Sequence, residues 1–256
     1  MVDRPSVAHD KTTEGADTER RRGGLGRNLT YGLLDEVGRD IVTRRYEREP
    51  FPTEAELAKR HGVSRSVTRE AVKMLTAKGL LSARPRQGTT VQPASSWNLF
   101  DPDVLRWLLE RSFSLELLRQ FSQLRLAIEP AAAALAARAA GEAEIARIMA
   151  GHARMAAAER GAGDPLDADI AFHIAVLEAS ANPFYAQFRD VVATALRTSI
   201  RFTNRIKGRS ASLPAHGAVL EAIQAREPER AHAAMVAIIA EVMSLIEKAE
   251  AEGSAR

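Results

Sequence analysis

The run FPTEAELAKRHGVSRSVTREAVKMLTAKGLLSARPRQGTTVQP, residues 51–93, constrains this chain more than any other feature, because two short helices, a glycine turn and a hairpin follow one another in it. Thr53 is placed to cap a helix, and Glu56 is placed to reach back and complete a capping box. That helix carries Leu57 and Ala58 inward and stops at His61-Gly62, where glycine supplies the positive φ of a sharp turn. Val63 fills the core beneath the turn. Ser64 then caps a second helix on which Val67, Ala71, Val72 and Leu75 recur at helical spacing, leaving Arg65, Ser66, Thr68 and Arg69 to share the opposite face near its start. After Gly79, Leu80-Leu81-Ser82-Ala83 and Thr89-Thr90-Val91 read as two strands around the polar tip Arg84-Pro85-Arg86-Gln87-Gly88. The order is that of a winged helix-turn-helix.

Such a unit is shaped to sit on DNA. The start of the second helix enters a major groove, where Arg65 and Arg69 can each donate twice to guanine and Ser64, Ser66 and Thr68 can reach phosphates or base edges. A basic wing carrying Arg84, Arg86, Gln87 and Gly88 can lie against the sugar-phosphate backbone or enter the minor groove. Taken alone, such an arginine pair is more often solvated charge on an amphipathic helix; the hairpin that follows reverses that and favours the DNA reading.

Charge is divided accordingly. Residues 1–92 hold 18 Lys and Arg against 13 Asp and Glu, a net +5, and residues 93–256 hold 18 against 20, a net −2. The basic part is the part expected to meet a polyanion, though the excess is modest. With no cysteine, disulfides and thiolate catalysis are excluded. No apolar run is long enough to cross a bilayer and the N-terminus lacks the apolar core of a signal peptide, so a cytoplasmic protein is expected.

Residues 1–28 lack apolar periodicity and read as a disordered basic tail, with Arg20-Arg21-Arg22 near its end. Residues 29–92 form the DNA-binding domain, opened by a helix over 29–45 whose Leu33, Leu34, Val37 and Ile41 pack beneath the helix-turn-helix. A linker follows over 93–101, with Trp97 to Pro102 as an aromatic hinge that docks the domains. The remainder, 102–250, is expected to be an all-α effector-binding and dimerisation domain, with helices near 102–110, 114–140, 142–161, 164–181, 184–205, 212–226 and 228–250. Gly141, Gly161, Gly163, Asn182-Pro183 and Glu227-Pro228 supply the breaks. The fold class is therefore mainly α with a small β wing.

Within the helical domain, Asp169 and His173 lie one turn apart, and His216 opens a later amphipathic segment. A carboxylate with two imidazoles suits Zn²⁺ or a similar divalent metal, and three protein ligands leave positions for water or an anion. Without further context, an Asp/His pair at this spacing is more often a plain contact on a helix surface than a metal site. An open site of this kind can activate water for hydrolysis, but no general base stands at a fixed spacing and the chain is not read as an enzyme. A bundle that only dimerises an architectural DNA binder is a further alternative.

The helix-turn-helix segment resembles the DNA-binding domain of the GntR family, whose usual pattern is LP-S/T-E-x-x-L-A, G-V-S-R-x-x-V-R-E-A-L, G-L-I and a G-x-G-T-x-V wing. Ala55 and Arg86 depart from it, standing where the family often has an arginine and the first wing glycine. Residues from about 115 to 245 resemble the FCD domain of the FadR-like subgroup, an antiparallel bundle, through Leu124-Arg125-Leu126-Ala127-Ile128-Glu129-Pro130, Asp169-x-x-Phe172-His173, Ala181-Asn182-Pro183 and His216-x-x-x-Leu220-x-Ala222-Ile223. The resemblance implies a metal at Asp169, His173 and His216, with a fourth ligand position that falls on Ile238; His232 lies off that helical face. It also implies a small organic acid as effector, of the sugar-acid type such as galactonate or, as a second choice, a 2-hydroxy acid such as lactate. Arg125 is expected to hold the acid's carboxylate, assisted by Arg197, with a salt bridge from Arg125 to Glu129 as the alternative. A homodimer that releases its operator on binding the acid completes the expectation.

Overall fold

Caps and turns set the first part of the fold. In the computed structural model, which describes residues 28–47, 49–84, 88–111, 114–207 and 212–254, the division into two units falls between Arg111 and Ser112. In the first unit, α1 covers residues 28–42, followed by α2 (Glu54–His61) and α3 (Arg65–Ala77). Thr53 closes the expected capping box: its Oγ1 accepts from the Glu56 amide, and the Glu56 carboxylate accepts from the Thr53 amide at 2.8 Å. Gly62 takes up the left-handed conformation at φ 63°, and Ser64 caps α3 through the Val67 amide. Strands β1 (Leu81–Arg84) and β2 (Gly88–Val91) pair antiparallel, with Leu81 opposite Val91 and Arg84 opposite Gly88. Leu33, Leu34, Val37 and Ile41 of α1 are buried against Leu57, Ala71, Val72, Leu75, Leu80 and Leu81, as their spacing requires.

Residues 93–110 do not follow the expected boundary. A 3-10 turn (Ala94–Ser96) leads into α4 (Pro102–Glu110), and α4 belongs to the first unit rather than to the helical domain. Val104, Trp107 and Leu108 lie on one helical face and are buried in the same core as α1. The Trp107 indole donates to Asp35 Oδ1 at 2.9 Å, and its ring packs so closely on α1 that a Cβ added to Gly38 would lie 2.2 Å from it. Asp101 caps α4 and, with Asp103, receives the Lys78 ammonium at 2.8 Å, which fastens the helix to the end of α3. Trp97 donates to the Gln92 carbonyl and packs on this core, so the aromatic segment read as an inter-domain hinge is an integral part of the first unit.

The second unit contains α5 (Leu115–Ala139), α6 (Glu142–Glu159), α7 (Pro165–Ala179), α8 (Pro183–Ala186), α9 (Arg189–Lys207), α10 (Leu213–Gln224) and α11 (Pro228–Ser254). The single helix expected over 184–205 is divided into α8 and α9. Asn182 caps α8 through the Phe184 amide, and Tyr185 and Phe188 turn into the core at the break. α7 is the central element, packed against α5, α6 and α9. Its middle is buried from Ala168 to Ile170, at Phe172 and His173 and from Ala175 to Leu177, while Asp167 and Glu178 near its ends are exposed. Gly151 lets α6 approach closely enough that an added Cβ would stand 2.9 Å from the Phe172 backbone. The polar side chains of that buried middle, Asp169 and His173, therefore have to find their partners within the bundle.

Candidate functional site

The two units each present one constellation. On the first, Ser64, Arg65, Ser66 and Arg69 are exposed together at the start of α3. Among the described residues Arg69 is held by an ion pair with Glu54 at 3.6 Å, and its side chain is 66% exposed, so it is available to another anion. Thr68 does not share this face. It is fully buried, and its hydroxyl donates back to the Ser64 carbonyl at 3.2 Å, because position 68 falls on the core side of α3 beside Ala71, Val72 and Leu75. Arg84 and Gly88 are exposed at the facing ends of the wing strands. Arg86 and Gln87 lie outside the described residues.

The second constellation is buried. Asp169 and His173 on α7 and His216 on α10 are each at most 2% exposed, and their ligand atoms lie within 4.8 Å of one another. Nδ1 of His216 is 2.8 Å from the Ser212 carbonyl, which can only accept, so a neutral His216 carries its proton there. Its Nε2 then turns a lone pair towards Asp169 Oδ1 at 3.0 Å and His173 Nε2 at 3.2 Å. With a neutral His216 acceptor faces acceptor, a conflict that either a proton on Nε2 or a cation held between the atoms removes. Asp169 Oδ1 has no hydrogen bond of proper geometry despite complete burial. Two imidazole nitrogens and an unpartnered carboxylate oxygen converging in this way fit a divalent cation by donor type and by placement.

Behind the triad, α5 contributes a second charged pair. Arg125 donates through Nε to Glu129 Oε1 at 2.5 Å and through Nη2 to Oε2 at 3.3 Å, and Nη2 also lies 3.5 Å from His173 Nε2. Glu129 Oε2 is 2.5 Å from His173 Nδ1. Burial pushes the Glu129 carboxyl up, but Arg125 and His173 outweigh it and bring it down to about 2. Burial acts the same way on Asp169, and His216, His173 and Arg125 again reverse it, so this carboxyl too is held below its ordinary range. Phe172 sets its ring edge-on to His173 and His216 at 5.8 and 5.1 Å.

Arg125 thus reaches the cluster, but as the partner of Glu129. Arg197 does not reach it: its side chain is 43% exposed and faces Asp167 at 3.8 Å, the position on α9 pointing outward. Ile238, at the place where a fourth ligand is implied, packs against the apolar core, and His232 is exposed. Sequence reasoning treated Glu129 only as a possible mate for Arg125. Its contact with His173 joins residues of two different helices that lie about forty positions apart in the chain, and no local spacing announces it.

Among the described residues no helix is long and apolar enough to cross a membrane. Residues 31–91 match the family described as bacterial regulatory proteins, gntR family, and residues 120–241 match the FCD domain. The chain is 33% identical over 216 residues to the HTH-type transcriptional regulator YieP of Escherichia coli, covering 83% of this chain and 93% of that protein. It is 32% identical over 218 residues to the galactonate operon transcriptional repressor of the same organism, covering 83% and 94%. It is 29% identical over 196 residues to the HTH-type transcriptional regulator LutR of Bacillus subtilis, covering 74% and 88%.

Proposed function

The chain belongs to the GntR family of bacterial regulatory proteins, as a DNA-binding transcriptional regulator with an FCD domain, and on that premise we propose that it is a repressor released from its operator by a small organic acid. The observation that carries this reading is the buried Asp169, His173 and His216 cluster of the second unit, in a chain whose first unit exposes Arg65 and Arg69. The cluster is a place to sense an anion and the exposed arginines a place to hold DNA.

On the DNA side, Arg65 and Arg69 read base edges from the major groove, and Ser64, Ser66 and the wing residues Arg84 and Gly88 fix the head on the backbone. A homodimer presents two such heads to matched half-sites. On the sensing side, Asp169, His173 and His216 hold a divalent metal, Zn²⁺ being the first candidate. A metal held there would supply Lewis acidity towards carboxylate and hydroxyl oxygens. Arg125 adds positive charge beside it, 3.5 Å from His173 Nε2. The effector class is a sugar acid of the aldonate type, in keeping with the similarity to the galactonate operon repressor. Binding at the cluster favours the arrangement of the dimer that releases DNA, and the shift can be no larger than the acid's difference in affinity for the two arrangements.

A thermal-shift screen of the purified chain against aldonates and short 2-hydroxy acids, with and without chelator, tests the sensing half. Selective stabilisation by one acid that chelator abolishes is the expected result. Gel retardation on fragments selected from random DNA, with and without that acid, tests the other half. Stabilisation without loss of DNA binding overturns the repressor reading.

A further inference from the structure

We propose that Glu129 is a positioning residue of the metal centre: its carboxylate, braced by Arg125, seats Nδ1 of His173 so that Nε2 of that ring faces Asp169 and His216. The inference rests on the reading of the triad as a cation site. It assigns to the Arg125–Glu129 pair a task different from holding the effector's carboxylate.

Three observations carry it. Glu129 Oε2 stands 2.5 Å from His173 Nδ1, and both groups are 1% exposed, so no solvent competes for either. His216 has the matching arrangement, with the Ser212 carbonyl on its Nδ1 at 2.8 Å. Each ring therefore has an oxygen behind it, and the two Nε2 atoms meet at 3.2 Å in front. An oxygen on the rear nitrogen of a ligating histidine fixes both ring angle and tautomer, and a carboxylate there raises the donor strength of the front nitrogen above what a carbonyl provides. In the second unit, two of the buried side-chain atoms without a proper hydrogen bond are Asp169 Oδ1 and His173 Nδ1. They lie at the front and the rear of one ligand set, so a His173 ring drawn into line between a cation and Glu129 completes both.

Arg125 explains how a carboxylate tolerates this position. Its Nε and Nη2 engage both oxygens of Glu129, which leaves a buried, charge-balanced pair whose free edge faces the imidazole. Where a fourth ligand is implied, this chain has Ile238, packed on the apolar core. A carboxylate acting through His173 strengthens one of the three donors that remain.

The test uses the full chain stripped of metal by chelator. Zn²⁺ affinity is measured by competition with a chromophoric chelator for the wild type and for Glu129→Gln. A loss of roughly 10- to 100-fold is expected from removing such a carboxylate. The ring nitrogen signals of His173 in the metal-free wild type are recorded by long-range proton–nitrogen correlation, with His173→Gln for assignment, and the proton is expected on Nδ1. Because that measurement does not use Glu129→Gln, it decides the matter even where that variant does not fold. Zn²⁺ affinity within twofold of wild type in a folded Glu129→Gln, or a His173 proton on Nε2, overturns the proposal while leaving the triad as a metal site. Failure of the wild type to bind Zn²⁺ at all overturns the triad reading and this one with it.

Discussion

Nε2 of His216 faces Oδ1 of Asp169 at 3.0 Å, although the Ser212 carbonyl claims the proton of a neutral His216 on its other nitrogen. A cation between the two atoms removes the conflict, so added Zn²⁺ is expected to stabilise the second unit. With free metal near a hundred times its Kd, linkage gives about 2.7 kcal/mol, or roughly 5–10 °C in melting temperature for a domain of this size. Chelator reverses the shift and His216→Ala abolishes it. Calorimetry with added Zn²⁺ checks this, and an unchanged melting temperature in the wild type contradicts it.

The exposed and buried faces of α3 separate DNA binding from stability. Arg65→Ala and Arg69→Ala each weaken binding to a selected operator fragment by about 1–3 kcal/mol, the range for a bidentate arginine–guanine contact, and leave the melting temperature within a degree or two. Thr68→Val behaves in the opposite way. The side chain is buried and its hydroxyl is bonded to the Ser64 carbonyl, so the substitution costs about 1 kcal/mol of stability and leaves the affinity of the folded protein unchanged. Fluorescence anisotropy on labelled DNA, run beside thermal melts, distinguishes the two. A Thr68→Val protein that is stable but fails to bind DNA returns Thr68 to the reading face.

Local signals made most of this fold legible in the sequence. Thr53 with Glu56, Gly62, Ser64 and the Leu33, Leu34, Val37, Ile41 stripe act over one or two turns, and each is found where the pattern puts it. Trp107 shows where such signals end. Its helix was correctly bounded, but what it packs on depends on Asp35 and Gly38, some seventy residues earlier, and on the missing Cβ of that glycine. Thr68 was misplaced for a subtler reason. Threonine at a helix start reads as polar and outward, yet a hydroxyl can satisfy itself on the carbonyl one turn back and present its methyl group to the core. The triad was legible because its spacing and the family resemblance agreed. The Glu129–His173 contact was not, since it depends on how α5 and α7 pack.

If α4 belongs to the reading head, a chain ending at residue 92 lacks part of its own core. Val104, Trp107 and Leu108 each contribute about 1.5–3 kcal/mol of apolar burial, together comparable to the whole stability of a small domain. Residues 28–111 are therefore expected to melt cooperatively, and residues 28–92 to be unfolded at 25 °C by circular dichroism. In the full chain, Trp107→Ala costs the first unit about 3–5 kcal/mol. A cooperative melt from the shorter fragment equal to that of the longer one shows α4 to be dispensable to the head.

The ion pairs that fasten α4 make its docking dependent on pH. Burial raises the carboxyls of Asp35 and Asp103, but Trp107, Arg106 and Arg39 around Asp35, and Lys78 and Arg106 around Asp103, reverse the effect and hold both below the ordinary 3.8. A carboxyl lowered on folding stabilises the fold in full above its unfolded value, and that contribution is lost as the pH falls through the lowered one. Lys78 runs the other way: burial depresses its ammonium, Asp101 and Asp103 more than restore it, and it sits above the ordinary 10.5. Its contribution is complete below that value and is lost as the pH rises through the raised one. The first unit is thus expected to be most stable between these limits and to weaken on the acid side below about pH 4. Asp103→Asn lowers stability at neutral pH, because Lys78 and Arg106 lose a charged partner, and flattens the acid limb at the same time. Melting temperatures of wild type and Asp103→Asn from pH 3 to 7 give the comparison; parallel acid limbs would place the pH dependence outside this network.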